Sequence, residues 1–381
     1  MNIFNIASIK AQVYRKPVKN PVRTSFGIMR DRPAVVIRVE DGEGTVGWGE
    51  TWCNFPTVGA EHRARLINEN CAEILCGQDW SSPRAAFAGL TSQLHVLAIQ
   101  TAEPGPIAQA IAGIDIALWD MAAKRTGSPL YHHLAAEFNL PDLGDIASVS
   151  CYASGINPDA PEKTALRARD DGYTAFKLKI GFEDELDLRN IKSMREALGD
   201  EAKIMTDANQ CWNLAKAQEM SEKLADYNPY WLEEPIVADR PVAEWRELGV
   251  ASPVKLAAGE NLRGGEFGEV CEDSYLEFIQ PDIAKWGGFS GCFPVARKAL
   301  QDGKVFCPHY LGGGIGLIAS AHLLAAIGGP GYLEVDYNPN SLREQLAQPF
   351  PAVKDGQFDL PQTPGLGIEP DLDKLQEYRT L

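Results

Sequence analysis

A chain of 381 residues and 41.6 kDa is longer than one small core needs, and 45% hydrophobic with 23% charged residues is ordinary for a globular protein. With 36 basic against 52 acidic residues the formal net charge is −16, which argues against nucleic acid or an anionic membrane as partner. A small anionic substrate is still compatible, because a bound metal and a few lysines can set a local field.

Ile3 to Val13 reads as a strand, and Ala34–Glu40 and Thr45–Glu50 read as a hairpin across Asp41-Gly42-Glu43-Gly44. Between them, residues 20–33 are polar and Pro-flanked and read as an exposed mobile loop. Three helical segments follow: Ala60–Leu75, Pro83–Ile99 and Ile107–Arg125. In the last, Ile111, Ile114, Leu118 and Met121 make a face that must be buried. This is an α+β unit over residues 1–130, ending where Gly, Pro and polar residues gather between Pro129 and Asp145.

Residues 145–345 change character. Short apolar strands are expected at Ala147–Tyr152, Ala175–Ile180, Lys203–Asp207, Trp231–Glu233, Val254–Ala258, Phe278–Pro281, Lys304–Cys307 and Tyr332–Val335. Helices such as Glu185–Leu198, Leu214–Ala225, Val242–Leu248, Phe289–Leu300 and Ile318–Ala325 fall between them. Eight strands at about 25-residue spacing are the arithmetic of a (β/α)8-type, TIM-like barrel. Seven clear helix units leave an open sheet as the alternative. Residues 346–381 are expected to pack back on the first unit.

Nearly every strand ends in a residue unsuited to packing: Lys177 and Lys179, then Asp207, Glu233, Glu260, Asp282, His309 and Glu334. Barrel strand ends converge on one mouth, so residues spread over the chain form one cluster. Three carboxylates on consecutive strands (Asp207, Glu233 and Glu260) suit a hard cation, Mg²⁺ or Mn²⁺. Taken singly, each acid is as readily a cap on the next helix; it is the regular spacing that favours a site. Asn209 and Gln210 suit a supporting or a turn role equally. Lys177 and Lys179 share a strand face and are expected to lower each other's pKa. On adjacent strands, Asp282 can hold the His309 imidazole.

FKLKIG, MTDANQ, WLEEP, GEN, QPDIAKWGG and CPH stand in an order and spacing similar to those of the enolase superfamily. The resemblance is to its mandelate racemase/muconate lactonizing enzyme family and covers essentially the whole chain. It implies that the first unit is a capping domain over the barrel mouth. It implies that Asp207, Glu233 and Glu260 bind Mg²⁺, that Lys179 is a base, and that Lys177 lies near a substrate carboxylate oxygen. Asp282 in place of a strand-six lysine, with His309, resembles the mandelate racemase subgroup. Glu334 then resembles the acid, taken as protonated, that hydrogen-bonds the developing enediolate.

The expected activity is removal of the proton α to a carboxylate, with dehydration of a sugar acid or hydroxy acid to a 2-keto acid. Racemisation or epimerisation by the same two bases is the alternative. A phosphosugar barrel using Gly312, Gly313 and Gly314, and a non-catalytic metal-binding relic, rank lower. Specificity is expected from loops 19–31 and 51–63, with Arg23 and Trp52 among the contacts; Ser25, Arg30, Arg32, Asn54 and His62 are further candidates. The partner is a small carboxylate, and a homo-oligomer is expected. Eight cysteines without a C-x-x-C pair suit free thiols, and no run of 18 apolar residues occurs. A cytoplasmic protein without signal peptide or membrane span is expected.

Overall fold

The computed structural model describes residues 4–24, 27–140, 144 and 146–381. The first unit opens with an antiparallel sheet of β1 (Phe4–Thr24), β2 (Gly27–Asp41) and β3 (Val46–Thr51), with the short β4 (Asp79–Trp80) beside β1. Its helices are α1 (Gly59–Arg65), continued by a π-helical turn into α2 (Ala72–Leu75), then α3 (Pro83–Gln100), α4 (Pro104–Thr126) and α5 (Leu130–Glu137).

Most of α4 is buried, because the β-sheet lies on one side of it and the barrel on the other. Gly49 lets the sheet approach this closely: a Cβ there would stand 2.1 Å from the Gly113 carbonyl oxygen of α4. Two sequence expectations need correction here. Of residues 20–33, those at 20–24 and 27–33 are strand and not loop, while 25 and 26 lie outside the described residues: Val22 pairs with Met29 and Thr24 with Gly27, extending the β1–β2 hairpin into an arm. Proline is tolerated on such an edge, and a charged residue such as Arg32 is buried only through its distant partner Asp336, so composition imitates a loop. The Pro129–Asp145 boundary contains α5, whose Leu130, Tyr131 and Leu134 are buried.

The second unit alternates β5 (Ser148–Ile156), α6 (Pro161–Asp170), β6 (Ala175–Lys179), α7 (Asp184–Leu198), β7 (Lys203–Asp207), α8 (Leu214–Ala225), β8 (Leu232–Glu233) and α9 (Val242–Ala251). It continues with β9 (Leu256–Ala258), α10 (Glu266–Glu272), β10 (Phe278–Ile279), α11 (Gly288–Gln301), β11 (Val305–Phe306), α12 (Gly314–Ile327) and β12 (Leu333–Asp336). The parallel order runs β11-β10-β9-β8-β7-β6-β5-β12. The two ends of this row meet at a seam, where Tyr310 N donates to Glu334 Oε2 (3.1 Å) and Tyr332 N to Cys307 Sγ (3.4 Å). This is the α/β barrel, with the α+β unit as its cap.

Inside the barrel, Tyr152, Ala175, Met205, Trp231, Ala257, Phe278 and Cys307 make one apolar layer, a side chain from each of seven strands or their immediate flanks. After α13 (Ser341–Gln345), the hairpin of β13 (Val353–Lys354) and β14 (Gln357–Asp359) pairs antiparallel with β5. The last residues reach β1, where Thr380 N donates to the Val13 carbonyl (2.9 Å).

Candidate active site

Two residues beyond the apolar layer, each strand again points inward. Those positions are Ser154, Lys177, Asp207, Glu233, Gly259, Gln280, His309 and, on β12, Glu334. The period of two therefore sets a polar ring directly on an apolar floor. Lys177 Nζ is fully buried, 2.7 Å from both Glu233 Oε1 and Glu334 Oε1 and 3.8 Å from Asp207 Oδ2. The other oxygen of Glu233 accepts from Trp231 Nε1 (3.0 Å) and Gln280 Nε2 (2.8 Å). Lys179 Nζ donates to Asp207 Oδ2 (2.5 Å) and Asn209 Oδ1 (2.9 Å).

On the far side of the mouth, His309 Nδ1 lies 2.8 Å from Asp282 Oδ2, and Nε2 lies 3.0 Å from Glu260 Oε2. The second oxygen of Asp282 accepts from Ala284 N and Lys285 N. The structure thus brings together all eight strand-end residues singled out in the sequence. Trp52 enters from the cap, with Lys285 Nζ 4.9 Å from its ring centre. Arg23 lies in β1, and its side chain and Ser25 fall outside the described residues. Arg32 is buried and paired with Asp336 on β12, Arg30 is exposed, and His62 faces Glu103 at 3.4 Å.

Electrostatics differ from expectation at three residues. Burial would lower both lysines, but the acids outweigh it: Glu233 and Glu334 hold Lys177 well above its ordinary value, and Asp207 raises Lys179. Mutual repulsion of the two ammonium groups is the smaller effect. Glu334 is ionised, not protonated: burial pushes it up, but Lys177, His309 and the Ser154 hydroxyl bring it down to about 2. His309 is also held well above its ordinary value, because Glu260, Glu334 and Asp282 override its burial.

Several residues of this cluster carry no signal in the sequence reading. Glu234, buried, accepts from Asn261 Nδ2 through both oxygens (2.9 and 3.0 Å). Lys285, in the turn between β10 and α11, reaches Asn261 Oδ1 (2.8 Å) and Glu260 Oε2 (3.2 Å). Ser154 lies beyond the expected strand, although Tyr152 two residues earlier carries the same inward phase.

Among the described residues no three acids gather at one point. Lys179 holds Asp207, Lys177 holds Glu233, and Lys285 and His309 hold Glu260. The donor set nevertheless fits a hard divalent cation. Asp207, Glu233, Glu234, Glu260, Asp282 and Glu334 are six acids against three lysines and one imidazole, and burial among neighbouring carboxylates pushes Glu233 up to about 7 and Glu234 well above its ordinary value. Asp207 and Glu233 are direct neighbours across β7 and β8, and Glu260 follows β9. One divalent ion would relieve that crowding of carboxylates using oxygen ligands alone.

The phosphosugar alternative finds its place already filled. Gly313 N and Gly316 N, at the start of α12, donate to the Glu50 carboxylate of the cap at 2.5 and 3.1 Å.

Residues 161–374 match the family model described as enolase C-terminal domain-like, and residues 8–134 match the mandelate racemase/muconate lactonizing enzyme N-terminal domain. A solved mandelate racemase/muconate lactonizing enzyme from Bordetella bronchiseptica RB50 is 49% identical, with a TM-score of 0.91 over 99% of each chain. A racemase from Streptomyces coelicolor A3(2), solved with bound magnesium, is 26% identical, with a TM-score of 0.87 over 98% of this chain and 100% of that one. D-galactarolactone cycloisomerase of Agrobacterium fabrum is 29% identical over 98% of each chain. L-talarate/galactarate dehydratase of Salmonella typhimurium is 34% identical over 69% of this chain and 64% of its own.

Proposed function

The chain belongs to the mandelate racemase/muconate lactonizing enzyme family of the enolase superfamily, and we propose that it dehydrates an acid sugar to a 2-keto acid. The observation that carries this reading is the pairing of His309 with Asp282 on one side of the mouth and Lys179 on the other. Dehydration needs a base for the α-proton and an acid for the departing β-hydroxyl, and these two groups stand on different strands facing one space. Relatives that act as acid-sugar dehydratases and cycloisomerases support the substrate class.

Asp207, Glu233 and Glu260 would hold Mg²⁺, or Mn²⁺ in its place. When bound, the ion supplies the electrophilic charge that makes a proton α to a carboxylate removable. The chain's own residues do the rest. Lys177, fixed under the ring by Glu233 and Glu334, places an ammonium where negative charge grows on the substrate carboxylate. Lys179 takes the α-proton as the free amine, the form it reaches when Asp207 turns to a cation and no longer holds its ammonium. Asp282 fixes the His309 tautomer and ring plane, and His309 gives its proton to the leaving hydroxyl, so water departs and the enol ketonises.

Two proton carriers on opposite sides also favour a second reading, a racemase or epimerase in which His309 returns the proton to the same carbon. Incubation with a panel of four- to six-carbon acid sugars and Mg²⁺ separates the two. Dehydration gives a keto acid, trapped as its semicarbazone. Racemisation gives inverted acid carrying solvent deuterium and no keto acid. If no acid either loses water or exchanges its α-proton, the proposal fails.

A further inference from the structure

The last residues of β3 and the loop behind it hold both strand-end loops that carry the dyad. On the β10 side, Trp52 N donates to the Ala284 carbonyl (3.1 Å), two residues beyond Asp282. On the β11 side, Asn54 Nδ2 donates to the Leu311 carbonyl (2.8 Å), two residues beyond His309. Between them Glu50, 1% exposed, receives Gly313 N and Gly316 N at the N-terminus of the 14-residue helix α12. A helix N-terminus of this kind attracts an anion, and here the anion is built into another domain. The fit is close: a Cβ on Gly313 would stand 2.5 Å from Glu50 Oε1. Tyr310, next to His309, is buried beside the same carboxylate and ties its own N–H to Glu334 Oε2 (3.1 Å).

We infer that Glu50 is a positioning residue: the cap inserts its carboxylate into the anion site of α12, and this sets segment 309–316 and the His309 ring against Asp282. It acts through the backbone of the loop and touches no reacting atom. The consequence is that the dyad is completed only when the cap is seated. The role of the dyad in turnover rests on the proposed dehydration, but its geometry does not, and the test has a readout for each.

The test uses the full-length chain carrying Glu50→Ala, with sodium formate as a small carboxylate that can enter the vacated site. Three responses are expected. Formate raises the melting temperature of Glu50→Ala and leaves the wild type unchanged. The His309 ring-nitrogen signals in ¹⁵N-histidine NMR, assigned by their loss in His309→Asn, shift in Glu50→Ala and return with formate. On any acid the wild type dehydrates, Glu50→Ala loses about 100-fold in keto-acid formation, as for a catalytic group misplaced by an ångström. Its Lys179-driven exchange of the α-proton falls far less, and formate restores product. Unchanged His309 signals, or no formate effect on either melting or NMR, would overturn the inference; so would equal loss of both activities. If no acid is turned over, the dehydration reading fails while melting and NMR still decide the role of Glu50. Glu50→Gln, which keeps the shape without the charge, is expected to give a smaller shift of the His309 signals than Glu50→Ala; a larger one would count against the inference.

Discussion

Replacing Arg32 by methionine perturbs the joint between cap and barrel at its most buried ion pair. The guanidinium of Arg32 and the carboxylate of Asp336 are 2% and 3% exposed, and they join the hairpin arm to the end of β12. Asp336 also accepts from Asn338 N (3.0 Å) and Nδ2 (2.8 Å), so it stays buried and charged once its partner is gone. Breaking such a pair from one side costs about 3–5 kcal/mol, most of it from the stranded charge. At about 2.1 cal/mol/K per residue, unfolding this chain carries an entropy of about 0.8 kcal/mol/K, so the expected loss is about 4–6 °C in melting temperature. Among the described residues Arg32 Nη1 has no hydrogen-bond partner, so the pair is not an optimal one. Neutralising both sides, in Arg32→Met/Asp336→Asn, is therefore expected to recover most of the loss, because Asn keeps an acceptor for Asn338. Differential scanning calorimetry on the two variants decides it. A single variant within about 1 °C of wild type, or a double variant no better than the single, would refute the reasoning.

The carboxylates crowded at the mouth predict that Mg²⁺ stabilises the protein without substrate, by about 2.7 kcal/mol at about 100 times its Kd. Asp207→Asn, Glu233→Gln and Glu260→Gln are expected to weaken that response and abolish turnover, and a melting temperature indifferent to Mg²⁺ in the wild type would contradict the metal assignment. His322 is buried, accepts from Tyr131 N (3.2 Å) and lies 3.1 Å from the Leu366 carbonyl, and burial pushes its pKa down to about 4. An unfolded histidine protonates near 6.5, so this stabilising contribution is present above that pH and fades as pH falls from about 6.5 to about 4, by about 3 kcal/mol. Urea titrations across that window should show a shallower fall in His322→Asn; parallel curves would contradict it. All eight cysteines are unpaired, so thiol titration of the unfolded, unreduced chain should count eight, and a lower number would reveal a disulfide.

Much of the barrel and its mouth is legible in the sequence because strand periodicity does the positioning. Lys203–Asp207 and Leu214–Ala225 have the same bounds in the sequence reading and in the structure. Once Asp207, Glu233, His309 and Glu334 are each placed at a strand end, a barrel has one place to put them. What is not legible depends on partners far away in the chain. The charge states of Lys177, Lys179 and Glu334 are set by which carboxylates surround each ammonium, and a two-residue spacing on one strand does not contain that. Glu50 and Arg32 read as ordinary residues of the first unit, and their contacts lie 263 and 304 positions further on. The hairpin arm reads as a loop because its prolines sit on a strand edge and its buried Arg32 finds a partner only far along the chain.

Exchange and elimination, followed together in D₂O with Mg²⁺ on a dehydrated acid, test the division of labour between Lys179 and His309. Keto-acid formation and deuterium uptake into recovered substrate are read in wild type, His309→Asn and Lys179→Ala. The account predicts that His309→Asn makes no keto acid yet still takes up α-deuterium, and that Lys179→Ala does neither. Full dehydration by His309→Asn, or continued exchange by Lys179→Ala, would contradict it.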